Sequence, residues 1–145
     1  AAITHIGAVA NGDGSGRIDG DWNAEPAGNA CPTESCNFWD HVRRANLATG
    51  SLVMNAEFFP RNSEGGLIGI TGVSPLAGWT GNFYVCSTNI QGRFVRQLDI
   101  TADDGNTATG NIRVICQGVC ATSANPPANL TVAEDSNLYT VCSSN

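Results

Sequence analysis

The sequence contains no lysine: its seven basic residues are all arginine, against thirteen acidic residues, and the net charge is −6. The largest basic cluster is the pair Arg43-Arg44. Proteins that bind nucleic acid do so through a clustered basic surface that neutralises phosphates. We therefore expect no nucleic-acid partner.

Long hydrophobic runs are absent as well. No apolar run approaches the roughly 20 residues that a membrane span requires, and no signal peptide is visible. The chain opens with Ala1-Ala2, small residues of the kind that signal peptidase leaves behind. We expect no membrane span in this chain, and an exported protein in mature or trimmed form.

Residues suited to catalysis are few. The two histidines, His5 and His41, have no metal-ligand spacing, and neither Ser15 nor Ser74 lies in the strand–turn–helix setting of a nucleophile elbow. His41 falls within a predicted helix beside Asp40, where we expect a hydrogen-bonded structural role. The sequence therefore favours a protein that is not an enzyme.

Six cysteines without a C-x-x-C motif indicate three disulfides rather than a zinc site, and disulfides persist outside the cytoplasm. These residues are Cys31, Cys36, Cys86, Cys116, Cys120 and Cys142. They allow fifteen connectivities, among which the sequence does not choose. We favour two short loops, Cys31–Cys36 and Cys116–Cys120, with Cys86–Cys142 joining two strand-like segments.

Hydrophobic periodicity predicts one helix and about four strands. Phe38, Val42 and Ala45 recur at helical spacing, so the helix is expected over residues 38–47, with Ser35 or Asn37 as its cap. Strand patterns cover residues 67–73, 82–88, 112–116 and 137–142, with a short helical turn over 92–98. The fold class is therefore α+β: one amphipathic helix packed on an antiparallel sheet, with long loops and three disulfides. A single domain is expected over residues 1–145.

Residues 11–19, with the sequence NGDGSGRID, predict a calcium-binding loop. Oxygen-bearing side chains alternate, glycine occupies the sixth position and an aliphatic residue the eighth, as in known calcium loops. The twelfth position is Trp22 rather than glutamate, so a surface loop without metal is the alternative. The candidate ligands are Asn11, Asp13, Ser15, Arg17 and Asp19.

Residues 103–106, with the sequence DDGN, predict a second cation site. A hairpin needs only Asp-Gly or Asn-Gly, so the additional oxygens of Asp103, Asp104 and Asn106 exceed what a turn requires. An ordinary turn held by its own aspartate side chains is the alternative. Calcium is the cofactor that both loops indicate.

Trp79 lies between glycines in the segment GWTG and is the best candidate for an exposed aromatic contact. Tryptophan side chains more often pack in the core, and we expect this for Trp39 on the predicted helix.

Five motifs, taken in order, resemble the globular head of bacterial type IV pilin-like proteins. They are NGDGSGRI at 11–18, FWDHVRRANL at 38–47, GGLIGI at 65–70, VCSTNI at 85–90 and LDITADDGNTATGNIR at 98–113. The resemblance covers about residues 11–114. It implies a structural subunit whose copies form the outer surface of an extracellular pilus-like filament on a Gram-negative-type bacterium.

Pilins of this family carry an amino-terminal hydrophobic helix, and this sequence has none. The resemblance therefore implies that a separate short pilin supplies the helix, or that the helix has been removed. Residues 1–10 are expected to contact that partner as a strand or a packed segment, through Ile3, Ile6 and Val9.

Two other functions stay open at this point. One is an extracellular carbohydrate-binding or adhesin module in which Trp79 and Asn82 contact the ligand. The other is a minor pilin or pseudopilin, which sequence does not separate from a major subunit.

Overall fold

The structure, a computed structural model, describes residues 2–8, 10–117 and 128–145. Its helices are α1 (Ala2–Ile6), α2 (Glu34–Arg44) and α3 (Gly92–Ala102), with a 3₁₀ turn at Val132–Glu134. Its strands are β1 (Ile68–Thr71), β2 (Tyr84–Gln91), β3 (Ile112–Cys116) and β4 (Leu138–Ser144). The α+β class and the four-stranded antiparallel sheet are confirmed.

The sheet has the strand order β1-β2-β4-β3, so β4 lies between β2 and β3. Cys86 of β2 is directly opposite Cys142 of β4, and the two are joined by a disulfide with their Cα atoms 4.0 Å apart. The pairing of β2 with β4 is irregular between Ser87 and Ile90, where Asn89 has a φ of 61°. Because φ near +60° places a residue in the left-handed region, this position bends β2 before its last residues.

Two predicted disulfides are confirmed, Cys31–Cys36 and Cys86–Cys142. The third prediction, Cys116–Cys120, involves Cys120, which lies outside the described residues.

Helix α2 begins earlier than the sequence predicted and is capped by Thr33, not by Ser35 or Asn37. The Thr33 hydroxyl accepts the N–H of Cys36 at 3.4 Å, while Asn37 donates its side-chain amide to the Thr33 carbonyl. The Cys31–Cys36 disulfide joins the residues on either side of this cap and ties the preceding loop to the first turn of the helix.

Helix α3 is a full helix of eleven residues, where only a short turn over 92–98 was expected. Val95 is its buried anchor and packs with Val114 and Tyr139 of the sheet. A second amphipathic helix therefore covers part of one sheet face, and the prediction of a single helix is wrong.

At the amino terminus, residues Ala2–Ile6 form helix α1, so the alternative of a strand there is wrong. None of the helices in the described part of the chain has the length and hydrophobicity needed to cross a lipid bilayer.

Candidate functional site

An open apolar groove of about 390 Å³ lies between α3 and one face of the sheet. The sheet contributes Val85, Ser87, Ile112 and Val141, and α3 contributes Phe94 and Leu98. None of the described side chains that line it is charged. The groove is therefore a surface suited to an apolar ligand.

The alternation of side chains along each strand explains which sheet residues form the floor of the groove. Successive side chains of a strand point to opposite faces, so Val85 and Ser87 share one face of β2 while Tyr84 and Cys86 share the other. Ser87 is opposite Val141, which places that residue on the same face. The opposite face is filled by Trp79 and its neighbours, whereas this one is only partly covered by α3.

The helical period explains which residues of α3 form the rim of the groove. Phe94 and Leu98 are four residues apart and therefore lie on the same side of α3. Phe94 is 48% exposed and Leu98 is 44% exposed, although the neighbouring Val95 is fully buried. Large apolar side chains clustered at the rim of a groove mark an interaction surface more often than isolated ones do.

The first predicted calcium loop brings Asp13 and Asp19 together with a residue that the sequence did not indicate, Glu34 at the start of α2. The carboxylate of Glu34 accepts the backbone N–H of Asp13 at 2.6 Å and that of Asp19 at 3.2 Å. Ser15 donates its backbone N–H to Asp13, and this bond lowers the pKa of Asp13. The Arg17 guanidinium instead donates to the Gly72 carbonyl.

These bonds organise the first loop as a turn attached to α2. The carboxylates of Asp13 and Glu34 accept backbone hydrogen bonds, and Asp13 and Asn11, the first candidate ligand, are both exposed. A calcium ion at this loop stays a prediction.

The second predicted loop brings Asp103 and Asp104 together with Asp99 of α3, which the sequence reading missed. The Asn106 amide oxygen accepts the backbone N–H of Ala108, so this candidate ligand serves the turn. Asp99 is four residues before Asp103, a spacing that would have indicated a shared helical face if α3 had been predicted to its full length.

Asp99 is fully buried, and neither carboxylate oxygen has a hydrogen-bond partner among the described residues. Burial raises the pKa of Asp99, and the negative charges of Asp103 and Asp104 raise it further. The backbone N–H groups of Gly105 and Asn106 are near enough to lower this pKa slightly, but neither makes a hydrogen bond of good geometry with the carboxylate.

The prediction that Trp79 is an exposed contact is wrong. Trp79 is only 4% exposed, its indole N–H donates to the Gly110 carbonyl at 3.2 Å, and its carbonyl accepts the Tyr84 hydroxyl at 2.7 Å. The guanidinium of Arg113 lies 5.2 Å from the centre of its ring. Gly78, with a φ of 74°, lies in the turn that precedes the buried indole.

The other predicted partner-contacting residues lie at the amino terminus. Ile3 and Ile6 belong to α1, Ile6 is half-buried, and Val9 lies outside the described residues. The ring of His41 on α2 is 2.8 Å from the Ala10 carbonyl oxygen, which gives it the structural role expected from its place in the helix.

Comparisons with protein-family models, with curated proteins and with solved structures found no match to this chain.

Proposed function

We propose that this chain is the outer globular head of a type IV pilus-like filament, and that its apolar groove holds a hydrophobic helix of a pilin polypeptide. The groove between α3 and the sheet is the observation that carries the proposal. Its uncharged lining matches a helix whose exposed side chains are apolar.

A helix suits this groove better than an extended segment does. The groove lies on the face of the sheet, whereas an added strand would pair at the edge of β1 or β3. A helix satisfies its own backbone N–H and C=O groups, so it can enter apolar surroundings without leaving polar groups unpaired. The groove offers side chains rather than backbone partners.

The free energy of this contact can be estimated from the apolar side chains at the rim of the groove. Full burial of a leucine or phenylalanine side chain contributes about 1.5–3 kcal/mol. Phe94 and Leu98 are each close to half exposed, so covering both would contribute roughly 1.5–3 kcal/mol. Losing either contact should weaken helix binding about three- to tenfold.

The disulfides agree with a filament subunit outside the cytoplasm, because disulfides persist in extracellular and secreted proteins. Copies that meet through a repeated, non-closing contact form a helical filament rather than a ring.

The test compares two substitutions on α3, made in cells that produce filaments containing this chain. Leu98→Glu places a charge in the groove, while Ile100→Glu places the same charge on the same helix, outside the groove lining, at a residue that is 62% exposed. Sheared filaments are then quantified by immunoblotting for this chain. We expect Leu98→Glu to reduce incorporation at least tenfold and Ile100→Glu to leave it unchanged.

Equal incorporation of both variants would contradict the proposal. Electron microscopy of the native filaments gives an independent answer, because it shows what occupies the groove. Density for a helix against Phe94 and Leu98 supports the proposal, and it also shows whether that helix belongs to a separate chain. A groove facing solvent, or no filament at all, contradicts it.

No observation favours the carbohydrate-binding alternative, since the residue chosen for its contact, Trp79, is buried.

A further inference from the structure

Asp99 presents a buried carboxylate that receives no well-formed hydrogen bond or ion pair from the described residues. Its residue is 0% exposed, and both oxygens lack a hydrogen bond from the described part of the chain. Burying a charge without a partner is strongly unfavourable, so such groups are normally paired, protonated or bound to a metal ion.

The surroundings of Asp99 are acidic. One carboxylate oxygen each from Asp99, Asp103 and Asp104 lies within 4.8 Å of the other two. The ion pairs in the described residues are Arg44–Asp40 and Arg96–Asp135, so none reaches this cluster. Hydrogen bonds from Thr109 and Asn106 lower the pKa of Asp104, and the charge of Arg113 lowers it further. The Arg113 side chain itself donates to the Gly110 carbonyl.

Hydrogen bonds hold the half-buried Asp103 and the exposed Asp104 in place. Asp103 accepts the backbone N–H of Ile112 at 2.6 Å through one oxygen. Asp104 accepts the backbone N–H of Asn106 and the hydroxyl of Thr109, each through a different oxygen. A carboxylate oxygen has further acceptor capacity after one such bond, so both residues remain able to bind a cation.

Gly110 closes the loop against Asp103. It has a φ of 69°, and the carboxylate of Asp103 occupies the space where a Cβ atom would lie. The loop is thereby held against the end of α3, where Asp99 is located.

We propose that Asp99, Asp103 and Asp104 form a binding site for a divalent cation, with Ca²⁺ as its ligand. Ca²⁺ binds carboxylate oxygens at about 2.3–2.6 Å, so two of its ligands can lie up to about 5 Å apart. The separation of the three oxygens, within 4.8 Å, fits around one such ion. Water and neighbouring carbonyls complete its coordination.

The bound ion would join the end of α3 to the loop that precedes β3. Its effect on stability follows from mass action, since a ligand that binds only the folded state raises the melting temperature. At a Ca²⁺ concentration about one hundred times Kd, the shift for a domain of this size is about 5–10 °C. This site does not depend on the filament proposal.

The experiment measures thermal unfolding of the purified protein in EDTA and in millimolar CaCl₂, with calorimetric titration of Ca²⁺. We expect tight binding of one ion at this cluster and the melting-temperature shift given above. In Asp99→Asn, both the binding and the shift should disappear, while the protein in EDTA should melt no lower than wild type because the buried charge is gone. Asp104→Asn, at an exposed position, should also lose the shift and serves as the second variant if Asp99→Asn does not fold.

Asp13→Asn is the matched control, because it alters the other acidic cluster, which contains Asp19 and Glu34. This variant should keep the Ca²⁺-dependent shift. The proposal is overturned if wild type shows no shift, which would mean that Asp99 is protonated instead. It is also overturned if the shift survives in Asp99→Asn or Asp104→Asn, or is lost in Asp13→Asn alone.

Discussion

The Cys86–Cys142 disulfide should stabilise the protein far more than Cys31–Cys36, and the difference follows from loop length. The first joins residues 56 positions apart and the second joins residues 5 apart. Restricting the unfolded chain with loops of these sizes is worth about 4 and about 2 kcal/mol, respectively. Removing Cys86–Cys142 should therefore lower the melting temperature by about 8–16 °C, and removing Cys31–Cys36 should lower it by about 4–8 °C.

Two double variants make the comparison, Cys86→Ala with Cys142→Ala and Cys31→Ala with Cys36→Ala. Guanidinium unfolding followed by circular dichroism gives the free energy of unfolding of each. Cys86 and Cys142 are both fully buried beside Trp79 and Tyr84, so lost packing adds to the entropic effect of the longer loop.

An equal or larger loss for the Cys31–Cys36 pair would refute the reasoning. It would mean that the disulfide acts mainly by holding the start of α2, and that restriction of the unfolded chain contributes little.

Gly69→Ala should lower the free energy of unfolding by about 1–3 kcal/mol, because the added methyl group would collide with the backbone carbonyl of Trp22; an unchanged denaturation midpoint would contradict that contact. Glu134 should contribute a pH-dependent term, because hydrogen bonds from Thr131 lower its pKa in the folded state. That contribution is present above the unfolded pKa and is lost as pH falls through the lower folded pKa. Wild type should therefore exceed Glu134→Gln in urea resistance at pH 7, with the difference shrinking in acid; a difference independent of pH would argue against it.

The fold could be predicted from sequence where a pattern is local. The segment 112–116, three of whose five residues are β-branched, predicted β3 to the residue, because β-propensity is high there. Strand β2 was predicted to end at Thr88 but continues to Gln91, where Ile90 and Gln91 pair with β4. That extension depends on a distant strand, which no local pattern reveals.

The residues of the candidate site could be predicted from the sequence only in part, for the same reason. Asp103 and Asp104 were predicted because they are adjacent in a loop, but Asp99 was not, since its role depends on α3 continuing beyond Leu98. Glu34 joins Asp13 across 21 residues, a contact that only the folded chain creates. The groove likewise combines three strands with a helix, and its apolar residues look like core residues when read one segment at a time.

The position of β4 inside the sheet has a consequence for biosynthesis. Strand β4 is the last of the four to be made, yet it lies between β2 and β3 and pairs with both. Until residues 138–144 have left the ribosome, β3 lacks its partner strand among the described residues and β2 can pair only with β1. Because the pairings of β4 are distant in sequence, this half of the sheet forms late. The Cys86–Cys142 disulfide joins β2 to β4 at directly opposite positions, so it marks the register in which β4 completes the sheet.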